Sequence, residues 1–204
     1  MFLLHKPSEE FVRRFISSQQ ELPFSYPQVG STQGHPPVGF TVDHNRIKLG
    51  EGEEIYRRAV SALRRWRQFE LGWVTVVPVG KPLEEGTTVA VQAKVFGFWS
   101  LNAARIVYLI DEGQTRNSRF GFAYGTLPDH VERGEERFMV EWQTDNSVWY
   151  DIYAFSRPRN PLARIGFPIT RMLQKRFVRR SLAVMRAAVS AADYRGQRLE
   201  ISGQ

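Results

Sequence analysis

From residue 73 onward the hydrophobic pattern repeats every second residue, and it does so in six successive segments: 73–77, 87–96, 104–110, 119–126, 137–142 and 148–155. A period of two belongs to a pleated strand, whose side chains point alternately to opposite faces. Turn residues separate the segments: Pro82 and Gly86, Gly97, Asp111 and Gly113, then Asp145-Asn146. These connections are too short for the crossovers that parallel strands need, so the six strands read as an antiparallel meander. Such a sheet has an apolar face that something must cover.

The flanking segments supply the cover. Residues 38–49 read as one more strand, ending at Gly50-Glu51-Gly52, and Ile55, Ala59, Ala62, Trp66 and Phe69 recur at helical spacing across 53–69. After the meander, Asn160-Pro161 offers an Asn cap with Pro at the first helical position. A helix is expected over 159–195, kinked at 166–168 by Gly166 and Pro168, with Ile169, Leu173, Phe177, Val184 and Ala188 as its apolar stripe. Strand, helix, six-strand meander and long C-terminal helix is the order of a helix-grip fold. The expected class is therefore α+β, a curved antiparallel sheet of about six to seven strands wrapped on the C-terminal helix; a sheet-plus-helix fold of another topology is the rival. A strongly bent sheet leaves a gap beneath such a helix, and ligands bind in gaps of that kind.

The remaining pieces are smaller. Residues 1–37 read as an extra N-terminal helix, capped by Ser8 and carrying Phe11, Val12, Phe15 and Ile16, followed by a Pro- and Gly-rich loop that Phe24, Tyr26 and Val29 hold down. Residues 38–158 hold the strand, helix and meander, and 196–204 form a tail. With 204 residues and no linker-like or repeated segment, the chain is expected to be a single domain.

Composition excludes several chemistries. The absence of cysteine removes disulfides, thiolate nucleophiles and cysteine-ligated metals. No apolar run approaches the roughly 20 residues of a membrane-spanning helix, and the first residues lack a secretion signal, so a cytoplasmic location is expected. The net charge of +7 concentrates late, in Arg171, Lys175, Arg176, Arg179, Arg180 and Arg186, with Arg171, Lys175 and Arg179 on one helical face. A basic face suits nucleic acid or an anionic membrane, and equally a solvated surface.

Candidate chemistry concentrates between Phe120 and Pro158. On 135–142, alternation puts Glu136, Phe138, Val140 and Trp142 on one face. A carboxylate there is desolvated and its pKa raised, which suits an acid/base group or an anchor for a polar ligand end; the alternative is a buried Glu neutralised by Arg105 or Arg157. Asp151 shares a face with Trp149, Tyr153 and Phe155, while Val148, Tyr150, Ile152 and Ala154 are as apolar on the other, so alternation leaves its side open. Tyr124 and Thr126 end a strand at a cavity mouth, ahead of a turn that holds His130, itself either an acid/base group or a histidine bonded to backbone. Gly121 and Gly125 permit close approach of backbone or ligand, or a bend in the sheet. Arg157 suits a carboxylate or phosphate. The expected pocket set is Tyr124, Thr126, Glu136, Phe138, Trp149, Tyr150, Asp151 and Arg157, with Glu136, Asp151, His130 and Tyr124 as catalytic candidates.

Metal and cofactor signals are weak. Asp129, His130 and Glu132 lack a second histidine at ligand spacing, Gly50-Glu51-Gly52 lacks the rest of a phosphate-binding fingerprint, and no Gly-x-Ser-x-Gly elbow exists. No metal and no cofactor is expected.

Some runs also carry a family resemblance: Pro23-Phe24-Ser25-Tyr26 with Val29-Gly30, Trp66 with Gly72-Trp73, Gly121-Phe122-Ala123-Tyr124-Gly125-Thr126-Leu127-Pro128, and His130. Further on stand Gly134-Glu135-Glu136-Arg137-Phe138, Trp149-Tyr150-Asp151-Ile152 and Ala154-Phe155-Ser156-Arg157-Pro158, with Gln174 and Phe177 in the last helix. Over nearly its whole length the chain resembles the uncharacterised family called domain of unknown function nineteen-ninety. The resemblance implies a fold near the START, Bet v 1-like and polyketide-cyclase-like helix-grip proteins, and no assigned reaction. Three functions stay open: a module holding a small hydrophobic or amphipathic molecule, a cyclase-like or hydrolytic enzyme on the same cavity, and a basic-surface module for nucleic acid or anionic membrane.

Overall fold

The computed structural model describes residues 1–78, 81–159 and 167–190. Along the chain run β1 (Phe2–Leu3), α1 (Glu9–Gln19), β2 (Thr41–Glu51), α2 (Glu53–Arg64), β3 (Val74–Val77), β4 (Thr88–Val95), β5 (Phe98–Asp111), β6 (Ser118–Thr126), β7 (Glu132–Trp142), β8 (Ser147–Pro158) and α3 (Phe167–Val189). Every pairing is antiparallel, in the order β2-β8-β7-β6-β5-β4-β3, and β1 pairs with the start of β5. The first long strand lies beside the last, and the sheet grips α3: the arrangement is a helix-grip fold.

Most element types match the hydrophobic periods, and the departures have local reasons. β5 begins at Phe98 and β7 at Glu132, ahead of 104 and 137, because backbone pairing continues through Ser100, Asn102 and Gly134, which carry no hydrophobic signal. The helix expected over 53–69 stops at Arg64. Trp66 takes a left-handed backbone (φ 60°), and a 3-10 turn at Arg67–Phe69 follows. The Asn160-Pro161 cap, Gly166 and the tail lie outside the described residues. Pro168 stands in the first turn of α3, where its missing N–H breaks no helical bond.

The concave face of the sheet holds the main core. Phe122, Phe138, Tyr150 and Ile152 pack against Leu63, Trp66 and Phe69. From α3 the buried line is Ser181, Met185 and Val189, spaced by four residues, flanked by Val184 and Ala188. Ile169, expected in the apolar stripe, is instead exposed. The C-terminal half of α3 presses on this core together with Phe177, whose ring is centred 5.2 Å from that of Phe69, and the rest of the N-terminal half stands over a cavity.

The convex face is covered as well. Val12 and Phe15 of α1, whose N-terminus Ser8 caps by accepting from the Phe11 N–H, pack on Ala90, Leu101, Ala103 and Leu127. Arg105 donates to the carbonyls of Gln19 and Leu22, fixing the C-terminal end of α1. The loop after α1 is pinned by one buried carboxylate, Glu135. It accepts from the Tyr26 hydroxyl (2.6 Å), the Gly30 N–H (2.7 Å), the Thr32 N–H (2.9 Å) and the Thr32 hydroxyl. Gly125 is directly opposite Glu135; a methyl there would overlap the Tyr26 hydroxyl and the Phe24 ring. The loop, rather than a ligand, is what this glycine admits.

Truncating Glu135 removes the acceptor of all four of these hydrogen bonds at once. Glu135→Ala is expected to lower unfolding free energy by roughly 3–5 kcal/mol. Glu135→Gln, which keeps an acceptor, should lose distinctly less. Urea denaturation with an unchanged slope checks both.

Candidate functional site

Strand register sorts the side chains. Glu136 pairs with Tyr124 on β6 and Ala154 on β8, and Asp43 of β2 pairs with Ala154, so all four share the concave face. Between this face and α3 from Ile169 to Leu182 lies a cavity of about 1070 Å³. Its walls are chiefly apolar, with Trp73, Val91, Ala93 and Val95 from the sheet side and Leu173 and Phe177 from the helix. The volume is at the upper end of the range of small-molecule sites.

Polar groups gather along β2, β6, β7 and β8. Tyr124 donates to Glu136 Oε2 at 2.7 Å. Arg171 donates both guanidinium arms to Asp43 (2.5 and 2.7 Å) and also reaches Gln174 Oε1 (2.7 Å). Gln174 in turn donates to Glu132 Oε2 (2.6 Å) and Ser156 Oγ (3.1 Å). The network ties the start of α3 to three strands. Glu132 Oε1 and the Trp73 indole N–H, both on residues of the cavity wall, are buried without a hydrogen-bond partner among the described residues.

Burial dominates the electrostatics here. It pushes the Glu136 carboxyl up to about 7, against the Tyr124 hydrogen bond that lowers it and with the nearby Glu132 and Asp43 charges that raise it further. No Arg or Lys forms a salt bridge with Glu136 among the described residues, so the neutralised-pair alternative with Arg105 or Arg157 does not describe it. Burial also raises Glu132, opposed by its Gln174 hydrogen bond, and raises Tyr124 well above an ordinary phenol. His130 is pushed down to about 4 by burial. Its Nδ1 lies 3.0 Å from the Glu132 N–H and 3.2 Å from the Glu132 carbonyl oxygen, so the ring is held by backbone.

Of the sequence-derived set, Tyr124, Thr126, Glu136 and His130 line the cavity. Thr126 is already engaged with Ser25 Oγ (2.6 Å) and the Gly134 N–H (3.0 Å). Phe138 and Tyr150 are on the concave face but buried in the core, Tyr150 beside Ser181 Oγ at 3.1 Å. Trp149, Asp151 and Arg157 are on the convex face, one pleat step out of phase with Glu136 and Ala154. There Asp151 accepts from Arg137 (2.9 Å) and meets His44 Nε2 (2.5 Å), Arg46 stacks on Trp149, and Arg157 stacks on Phe40. The register of β8 with β7, invisible to alternation, separates Asp151 from the other catalytic candidates. Asp43, Asn45, Ser156, Arg171 and Gln174 are outside the expected pocket set. The signal for the strand residues is polar side chains at one parity with the inward apolar ones, Asp43 and Asn45 with Ile47 on β2 and Ser156 with Ile152 on β8; Arg171 and Gln174 on α3 carry no such signal.

A helix-grip protein with an internal cavity, apolar on its walls and acidic at one end, is thus what fold and site define. The profile of "Domain of unknown function (DUF1990)" matches residues 25–184, and the chain belongs to that family. A UPF0548 protein of Dictyostelium discoideum is 38% identical, over 94% of this chain and 97% of its own length. Among solved structures, the hypothetical protein jhp0584 from Helicobacter pylori superposes with a TM-score of 0.51 at 12% identity, covering 82% of this chain and 96% of that one. Human STARD10 matches with a TM-score of 0.47 at 9% identity, over 96% of this chain and 85% of its own. Among the described residues no helix is long and apolar enough to cross a membrane.

A raised acid favours the folded state in its protonated form. The Glu136 contribution is fully present below the unfolded value near 4.5 and is lost as pH rises through about 7. Comparing the protein with Glu136→Gln by urea denaturation from pH 4 to 8, the difference in stability should shift against the unsubstituted protein by at most about 3 kcal/mol. Tyr124→Phe removes a bond to the ionised form and should move the midpoint of this change upward.

Proposed function

We propose that the protein binds a small amphipathic molecule in the cavity between sheet and α3, its apolar part along Trp73, Val91, Ala93 and Val95 and its polar head at Glu132, Glu136 and Tyr124. The observation that carries this reading is a cavity of about 1070 Å³ with apolar walls and a few convergent polar groups. The polar end also restricts the head. Asp43 is neutralised by Arg171, whereas among the described residues Glu132 and Glu136 form no salt bridge and Glu132 Oε1 has no donor. A head that donates hydrogen bonds, a hydroxyl or an amine, complements these oxygens; a carboxylate head would stand against like charge.

A second reading, an acid/base enzyme on the same cavity, is supported by Glu136 titrating near neutrality with a hydroxyl at 2.7 Å. It uses Glu136 and Tyr124 with His130 as a neutral imidazole.

Native mass spectrometry of protein purified without denaturation tests the binding reading. A mass in excess of the chain that disappears on denaturing extraction is expected. Ala154→Trp, which fills the cavity from β8, should abolish that excess while circular dichroism stays unchanged. Added dodecylamine or dodecanol should bind more tightly than dodecanoate at neutral pH. A chain free of excess mass that also binds none of these probes would sink the proposal.

A further inference from the structure

The cavity opens among exposed apolar side chains. Phe2 (71% exposed), Phe96 (70%), Phe98 (50%) and Ile169 (50%) all line it, and Met172 (51%) follows one turn along α3 from Ile169. They come from three separate elements, β1, the β4–β5 hairpin and α3. Exposed apolar groups gathered around one opening mark an interaction site, whereas scattered ones need no explanation.

Phe96 is the sharpest case. Val95 pairs with Phe98, so Phe96-Gly97 is a two-residue hairpin loop, and both residues have positive φ, 50° and 85°. That turn prefers Asn-Gly, because a residue with a Cβ is disfavoured in the left-handed region. Phenylalanine here gains little burial to offset an unfavourable backbone. Neither the local conformation nor packing among the described residues accounts for it; contact with something outside the chain would.

Charge says what that something is. Between Phe167 and Val189, α3 carries Arg171, Lys175, Arg176, Arg179, Arg180 and Arg186 and no carboxylate. Arg171 is engaged with Asp43, and Arg176 stacks on Trp73 with its guanidinium 4.8 Å from the ring. Lys175 and Arg179 are exposed at the cavity wall. Lys94 and Lys6 stand over the Trp99 ring at 5.7 and 5.9 Å, one pleat step out of phase with the cavity-lining Val95 and Phe98, and so add nothing to this rim. Apolar side chains rimmed by cations complement a surface with anionic groups outside and an apolar phase beneath. Nucleic acid meets the cations and stacks on aromatics, but offers no apolar phase for Ile169 and Met172.

We propose that the mouth of the cavity is a docking surface for an anionic lipid bilayer, with Phe2, Phe96, Phe98, Ile169 and Met172 entering the acyl region and the α3 cations meeting the phosphate headgroups. In that pose the cavity faces the bilayer, and an amphiphile passes between them without crossing water. The route rests on the binding reading above, but the docking itself does not.

Co-sedimentation with phosphatidylcholine vesicles, with and without phosphatidylserine, tests it. Binding is expected only to the phosphatidylserine vesicles and should weaken as salt rises. Phe96→Asn should lower vesicle affinity about tenfold, the equivalent of one buried Phe, while the melting temperature stays level or rises because Asn suits the turn. Lys175→Glu with Arg179→Glu should lower it by more than tenfold. Failure of the full chain to sediment with either vesicle overturns the proposal. So does undiminished binding by Phe96→Asn. Tighter binding to a single-stranded oligonucleotide, unaffected by Met172→Gln, would assign the basic face to nucleic acid and overturn it too. Native mass spectrometry of Met172→Gln keeps the two proposals apart: Met172 is outside the cavity lining, so occupancy should survive the loss of docking.

Discussion

The antiparallel sheet is apolar on both faces, and each face requires its own cover. On the concave side the cover is α2 and the C-terminal half of α3; on the convex side it is α1 and the loop that Glu135 holds. Two adjacent carboxylates therefore sit one pleat step apart with opposite roles. Glu135 faces outward, saturated by donors from the N-terminal loop, while Glu136 faces inward, with the Tyr124 hydroxyl as its partner among the described residues and the cavity in front of it. A register slip of one residue would exchange them and destroy both sites.

The same geometry explains why the cavity exists at all. α3 is tied at its start by the Asp43, Glu132 and Ser156 contacts of Arg171 and Gln174, and pressed on the core at its end by Met185 and Val189. Held at both ends, it spans the concavity without collapsing into it. The polar ties and the raised carboxyls share one origin: a wall with little water to solvate charge. An ion pair is retained there at Asp43, and Glu136 without a cation shifts toward neutrality.

Charge and apolar exposure, each unremarkable over the whole surface, coincide at one place. The +7 of the chain owes much to α3, and α3 borders the cavity opening where Phe2, Phe96 and Phe98 are exposed. A long basic helix laid over a sheet serves the fold through one face and leaves the other exposed.

Much of this was legible in the order of residues. Alternation over six segments, the helical spacing of Ile55 to Phe69 and the final amphipathic helix determined the seven long strands, their antiparallel succession and the α+β helix-grip class, because these depend on local periodicity and on turn residues such as Gly97 and Asp145-Asn146. The eighth strand, the two-residue β1 on β5, and the early starts of β5 and β7 carry no such signal. The inward placement of Glu136 with Phe138 was also local, since Glu135 and Arg137 flank it in phase with solvent-facing or network-bound residues. The side of Asp151 was not local: both parities of β8 are apolar, and only the pairing of Met139 with Asp151 puts that carboxylate on the convex face with Arg137 and His44. Asp43, Ser156, Arg171 and Gln174 were likewise brought together only by tertiary structure. They lie on three elements far apart in the chain, and the contact among them exists only once β2 has paired with β8 and α3 has been laid across both.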